Sequence, residues 1–178
     1  MIYCGLDIET TGLDLNKDHR LIQLALVYGP ATWVYDVLPI GVMTIDPRAM
    51  EVNKFTLSRI EGGVPNDELD HDLSKYLLNE FKPESLTAVG WNIGSFDLPF
   101  LKKELPKTST LFSHRVVDLS GICILAAERK SLNWRNLKEV WHKAAEEAMN
   151  EKAQWHDALW DARAALKVWE LLIDGKLG

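Results

Sequence analysis

Ile2–Ile8 is almost continuously apolar and stops at Thr10-Thr11-Gly12, which predicts a buried strand. Arg20–Tyr28 and Thr32–Leu38 follow as a second and a third strand, parted by Gly29-Pro30. Connections this short favour an antiparallel meander, because parallel neighbours need a crossover of about a dozen residues. After Asp46-Pro47 the period changes. Pro47–Ile60 reads as one or two short helices. Asn66–Phe81 reads as a longer one, with Leu69, Leu73, Tyr76, Leu77 and Phe81 on one face. Leu86–Trp91 is a fourth strand. Phe96–Leu105 is a helix with Pro99 in its first turn, where proline is tolerated. Val116-Val117 is a short fifth strand, and Asp118 caps the helix Leu119–Arg129. Asn136–Met149 and Asp157–Ile173 are the closing helices. Three strands, then alternating helices and strands, then helices predict an α/β fold with a mixed sheet, in one domain over residues 1–178.

Composition narrows the class without changing that picture. The chain has 178 residues, 47% hydrophobic and 26% charged, the balance of a globular domain with its own core. No apolar stretch approaches the ~20 residues that cross a bilayer. Cys4 and Cys123 form no CxxC pair and sit in apolar runs, so both are expected as buried, reduced thiols. No basic region precedes the first apolar run, and Asp7 and Glu9 come early. A signal peptide is therefore not expected, and a cytoplasmic location is. Nor is a tail for binding a polymerase or clamp expected after the last helix.

The net charge of −6 argues, taken alone, against a nucleic-acid partner. It argues less if several carboxylates are ligands of bound cations, and three segments point that way. Strand alternation puts Asp7 and Glu9 on one face at the end of the first strand. Adjacent carboxylates there repel and lose hydration, and a divalent cation relieves both penalties. With 26 acids in the chain, about four i,i+2 acid pairs arise by chance. Glu68/Asp70 and Asp70/Asp72 are two, on a solvated helix, whereas Asp7/Glu9 ends a buried strand. A pair fraying into solvent is the plainer alternative. The second segment is GWNIGSFDLPFL, Gly90 to Leu101, where Asp97 stands at a helix start next to a strand end. Read alone, Asp97 is a capping carboxylate; strand ends and helix starts are also where ligands gather in α/β sheets. The third is WHDALWD, Trp155 to Asp161. Asp161 lies on the flank of the last helix shared with Ala165, Val168 and Leu172, and His156 precedes it by about one turn. A His before an Asp is most often a cap or surface residue. His142 and Glu147 have similar spacing within a polar helix and receive no role.

Together, Asp7-Ile8-Glu9-Thr10-Thr11-Gly12, Asn92 with Phe96-Asp97, and His156 with Ala158 and Asp161 resemble the DEDDh family of 3′–5′ exonucleases, the DnaQ-like group of the ribonuclease-H-like fold. Each motif is weak singly, and the ordered set spans residues 7 to 161. The spacing from Asn92 to Asp97 is closer to the exonuclease domains of family B DNA polymerases, while the last motif is of the His type. The subfamily stays open between them. The fold implied is a mixed five-stranded sheet, three antiparallel strands first, flanked by helices.

The resemblance implies removal of nucleoside monophosphates from the 3′ end of DNA or RNA, preferentially single-stranded, by two divalent cations, Mg²⁺ or Mn²⁺. Asp7, Glu9, Asp97 and Asp161 would be the metal ligands and His156 the general base, because an imidazole suits proton abstraction at neutral pH. Thr10, Thr11, Leu13, Asn92 and Phe96 would bind the terminal nucleotide, with Leu13 against the last base and Phe96 stacking. Trp91 is read first as core and second as a stacking surface. Trp33, Trp134, Trp141, Trp155, Trp160 and Trp169 are expected in packing. Lys102, Lys103, Lys107, His114 and Arg115 are expected on a solvated face. The partner is nucleic acid with a free 3′ end and no membrane; a homodimer, a polymerase partner, and DNA versus RNA are left open. Rival readings are a haloacid-dehalogenase-like phosphatase, from Asp7-x-Glu9-x-Thr11, an HD-type phosphohydrolase, from His71-Asp72 and His156-Asp157, and an inactive nucleic-acid-binding or polymerase accessory module. The three-strand opening argues against the first, since such folds alternate strand and helix. The second is all-helical, and intact acids at all four positions argue against the third.

Overall fold

A computed structural model describes residues 2–81, 85–152, 154 and 156–177. Its strands are β1 (Ile2–Thr10), β2 (Leu21–Tyr28), β3 (Ala31–Leu38), β4 (Val64–Pro65), β5 (Leu86–Gly90) and β6 (Val117–Asp118). Its α-helices are α1 (Pro47–Asn53), α2 (Leu57–Glu61), α3 (Asn66–Phe81), α4 (Asp97–Glu104), α5 (Pro106–Ser109), α6 (Leu119–Lys130), α7 (Trp134–Met149) and α8 (Ala158–Ile173). The strand order is β4-β3-β2-β1-β5-β6. β1, β2 and β3 form the expected antiparallel meander, and β5 joins β1 in parallel.

The mixed sheet is therefore as expected, with one correction: among the described residues it has six strands, not five. The added strand is the two-residue β4 at the outer edge of β3, paired in parallel. Two residues show no periodicity, and a proline is compatible with a sheet only at such an edge. The fifth predicted strand also shifts by one residue, to Val117–Asp118. The single turn α5 was not expected. Its first N–H groups, of Lys107 and Thr108, donate to the Asp70 carboxylate at 3.0 and 2.7 Å. Asp70 is accordingly buried, not on a solvated face, while Tyr76 of the same helix is half-exposed.

Alternation along β1 divides two cores. Cys4, Leu6 and Ile8 pack with Leu69, Leu73 and Leu77 of α3 and with Phe100 and Leu101 of α4. On the other face Tyr3, Ala25, Val27 and Val89 meet α6, α7 and α8 through Cys123, Trp141, Ala162 and Ala165. Both cysteines are free and buried. Trp141 and Trp160 are buried, whereas Trp134 is 41% exposed and so corrects the packing expectation; Trp155 lies outside the described residues. The small side chains of α8 let it lie close across the central strand. A Cβ on Gly5 would come within 2.3 Å of the Ala162 carbonyl oxygen. Glycine at position 5 thus fixes how near α8 lies to β1, and with it the distance between Asp161 and Asp7.

A buried ion pair ties the opposite side together. Arg20, just before β2, donates to both Glu104 carboxylate oxygens and to the Ile40 and Val42 carbonyls, and Asn66 also donates to Glu104. The segment between β3 and α1 is held there and at Thr11, whose carbonyl accepts from Asp46 N–H at 2.7 Å.

Candidate active site

Four carboxylates converge where β1 ends. Asp7 and Glu9 project from β1 on one face, as alternation requires. Register is irregular between Glu9 and Thr10, so the strand turns away immediately after the pair. Asp97 is the first residue of α4 and is buried. The backbone N–H groups of Asp97 itself and of Ile8 favour its ionised form. Asp161 sits in the first turn of α8, behind the capping Asp157, whose side chain accepts from Trp160 N–H at 3.0 Å.

His156 precedes that cap with φ 63°, a left-handed conformation. Its N–H donates to the Asp161 carboxylate at 3.1 Å, and its ring stays exposed. One ligand atom each from Glu9, His156 and Asp161 lies within 4.8 Å of the others. These three residues line a cleft of about 460 Å³ together with Asp7, Thr10, Leu13, Phe96 and the inner face of α1.

The acids are crowded and partly dehydrated, and their protonation shows it. Burial, then Asp97, Asp161 and Glu9, hold the Asp7 carboxyl well above the usual range, against the pull of Lys138. Glu9 is pushed up to about 8, by burial and by Asp161, against a hydrogen bond from Asn53. Asp97 is also raised to about 8, by burial and by Asp118 and Asp161, with its two N–H donors opposing. Asp161 rises to about 6 through burial, opposed by His156 N–H and Lys138. Like charges forced together without matching cations are what a divalent-cation site looks like before its metal is counted. Hard oxygen donors of this kind fit Mg²⁺ or Mn²⁺.

Most of the residues expected from sequence are brought together here, and three stand apart. Thr11 is fully buried. Its hydroxyl donates to the Thr44 carbonyl and accepts from Arg20 N–H, so it braces the loop and does not face the cleft. Asn92, at φ 58°, shapes the turn before α4. Its N–H donates to Asp118 and Ser120, and it is not among the residues lining the cleft. Trp91 is half-buried between α7 residues, stacked on His142 at 5.0 Å. Gly12 allows the loop to close: a Cβ there would meet the His19 ring at 2.5 Å, so the chain folds tightly and projects Leu13, 77% exposed, beside the carboxylates. Lys102, Lys103, Lys107, His114 and Arg115 are exposed, as expected.

Sequence reasoning expected helix over Pro47–Ile60 but did not foresee that α1 lines the cleft. Arg48, Ala49, Val52 and Asn53 of α1, with its cap Asp46, form one wall of the cleft. Asn53 is buried and donates to the Thr10 carbonyl at 3.0 Å, which docks α1 on the end of β1. A seven-residue helix gives too few periods to mark a face. Asn53 carried no signal either, since charged Glu51 and Lys54 flank the Val52-Asn53 pair.

A model of the exonuclease family matches residues 4–169. This chain belongs to the exonuclease family, and the match bears out the DEDDh-type 3′–5′ exonuclease resemblance. Over 136 residues it is 33% identical to an oligoribonuclease of Leifsonia xyli, an alignment covering 68% of this chain and 63% of that protein. An oligoribonuclease of Buchnera aphidicola is 27% identical, over 75% of this chain and 90% of the other. The fold matches E. coli exonuclease I in complex with a dA16 oligonucleotide at TM-score 0.68 and 17% identity, over 97% of this chain and 40% of that one. The chain thus spans less than two thirds of the Leifsonia protein and of exonuclease I. No helix among the described residues is long and apolar enough to cross a membrane.

Proposed function

We propose that residues 1–178 form one 3′–5′ exonuclease domain that removes nucleoside 5′-monophosphates from single-stranded DNA or RNA, dependent on Mg²⁺ or Mn²⁺. The observation that carries this reading is the meeting of Glu9, His156 and Asp161 within 4.8 Å at a cleft that Leu13 and Phe96 also line. Asp7, Glu9, Asp97 and Asp161 would hold two divalent cations. Such ions lower the pKa of a bound water and neutralise charge on the phosphoryl oxygens. The exposed His156 ring takes the proton of the attacking water. Its N–H bond to Asp161 fixes the backbone that carries the ring. Leu13 and Phe96 hold the terminal base between apolar surfaces, and α1 closes the far wall so that a free end fits better than a continuous duplex. Thr10 lies beside the terminal sugar. The free thiols of Cys4 and Cys123 suit a reducing compartment, in keeping with action in the cytoplasm.

The test is a time course on 5′-labelled single-stranded DNA and RNA in parallel, with Mg²⁺ and with EDTA. A ladder shortening one nucleotide at a time, abolished by EDTA, is expected. His156→Ala should lose roughly 10²–10⁴-fold in rate, the range for a positioned acid–base group. Cleavage of a circular single strand, or full activity in EDTA, would overturn the reading.

A further inference from the structure

Among the described residues that line the cleft, Arg48 is the one lysine or arginine, set against the carboxylates of Asp7, Glu9, Asp46 and Asp161. Its backbone is anchored. Its N–H donates to the Asp46 side chain at 2.9 Å, and Asp46 N–H in turn donates to the Thr11 carbonyl at 2.7 Å. Pro47 restricts the backbone at the helix start. The side chain is exposed, and its guanidinium makes no hydrogen bond or ion pair with any described residue. Arg20, Arg59 and Arg163, by contrast, are each paired with a carboxylate. An unpaired guanidinium on an anchored backbone, on the wall of an acidic cleft, is placed to meet an anion that enters from outside.

Its place along the wall narrows which anion that is. The far end of α1 is docked where β1 ends, through the bond from Asn53 to the Thr10 carbonyl at 3.0 Å. Arg48 stands five residues earlier in α1, about 7.5 Å along the helix axis. It shares a helix face with Val52, one turn on, which also lines the cleft. We propose that Arg48 binds the phosphodiester next to the scissile one, on its 5′ side, and so sets the register in which the strand enters. This rests on the nuclease reading of the site. There the scissile phosphate is neutralised by the cations that the carboxylates hold. In a strand shortened from its 3′ end every other phosphate lies 5′ of that one, and the first of them leaves the cleft along the wall that α1 supplies. A planar guanidinium meets two phosphate oxygens at once. On a chain of net charge −6, a cation fixed on that path offsets the repulsion of the strand.

The experiment follows loss of the 3′-terminal nucleotide from a 5′-labelled hexanucleotide in Mn²⁺, made as DNA and as RNA. Each is made with natural linkages or with one uncharged methylphosphonate at the second linkage from the 3′ end. Arg48→Met should raise KM for the natural strand about tenfold, the effect of one charge-assisted hydrogen bond. Its kcat should stay within about twofold of wild type and its Tm should be unchanged. The methylphosphonate should raise KM about as much in wild type, yet by no more than about twofold in Arg48→Met, because both changes remove the same contact. Arg48→Lys, which keeps the charge, should lose less than Arg48→Met. Equal KM for wild type and Arg48→Met, or penalties that multiply when the variant meets the methylphosphonate, would overturn the phosphate contact. So would a penalty in Arg48→Met that follows the identity of the terminal base and not the charge of the linkage. No hydrolysis of either natural strand by wild type would instead remove the nuclease reading beneath the proposal.

Discussion

Replacing Asp161 with asparagine should stabilise the metal-free protein at neutral pH while abolishing hydrolysis. The folded chain holds the Asp161 carboxyl at about 6 instead of 3.8, chiefly through burial. Below pH 3.8 the proton is bound in both folded and unfolded chains. Between 3.8 and about 6 only the folded chain keeps it, so stability falls as pH rises, and above about 6 the loss is complete. A shift of this size corresponds to about 3 kcal/mol. Asparagine keeps an oxygen to accept the His156 N–H, which now donates at 3.1 Å, and it does not titrate. Its neutrality also relieves Asp7 and Glu9, both of which are raised in part by the Asp161 charge.

The assay is urea unfolding in EDTA at intervals from pH 4 to pH 8. Wild type should lose stability across that range, because Glu9 and Asp97 are held at about 8 and continue to titrate after Asp161 has finished. Asp161→Asn should match wild type near pH 4 and exceed it by about 3 kcal/mol at pH 7. Saturating Mg²⁺ should close the gap, since the cation stabilises the folded wild-type site by mass action. Parallel pH profiles for the two proteins would show that Asp161 is not held under electrostatic stress, and the reasoning would fail.

Other expected outcomes separate scaffold from cleft. Gly5→Ala should cost about 1–3 kcal/mol in chemical unfolding, because its Cβ would press the α8 backbone at Ala162; an unchanged midpoint would show that α8 can move away freely. Glu104→Leu should cost about 3–5 kcal/mol in the same assay, because Arg20 would be left buried without its carboxylate, and an unaltered melt would refute that dependence. Leu13→Ala should leave stability within about 0.5 kcal/mol, as befits an exposed side chain, while raising KM for oligonucleotides in steady-state assays. An unchanged KM would remove Leu13 from the terminal-base contact.

What was legible in the sequence followed from period and from chemistry that sits badly in a core. The apolar run of β1 and the stripe of α3 have lengths that burial imposes, and α3 begins and ends where the pattern does. Asp7, Glu9, Asp97 and Asp161 stood out because carboxylates at the ends of buried elements need an explanation. β4 was illegible because two residues have no period, and α5 because its N-terminus is capped by Asp70, remote in sequence. Thr11 and Asn92 belong to the same motifs as the cleft residues, but sequence does not say which side of a tight turn faces inward.

The spacing of the four carboxylates is set by core packing. Asp7 and Glu9 are fixed by the register of the central strand with β2, and Asp97 by the packing of Phe100 and Leu101 of α4 in the core that β1 shares. Asp161 is fixed by the close approach of Ala162 to Gly5. None of the four can retreat from its neighbours without disturbing one of the two hydrophobic cores. Repulsion must therefore be met by protons or by divalent cations, and the raised carboxyl pKa values record the first of these. His156 and Leu13 stand on turns at the rim, where the chain adjusts at little cost to the core. The fold thus divides the work: rigid elements hold the charges at fixed separation, and loops carry the groups that must accommodate a strand end passing through.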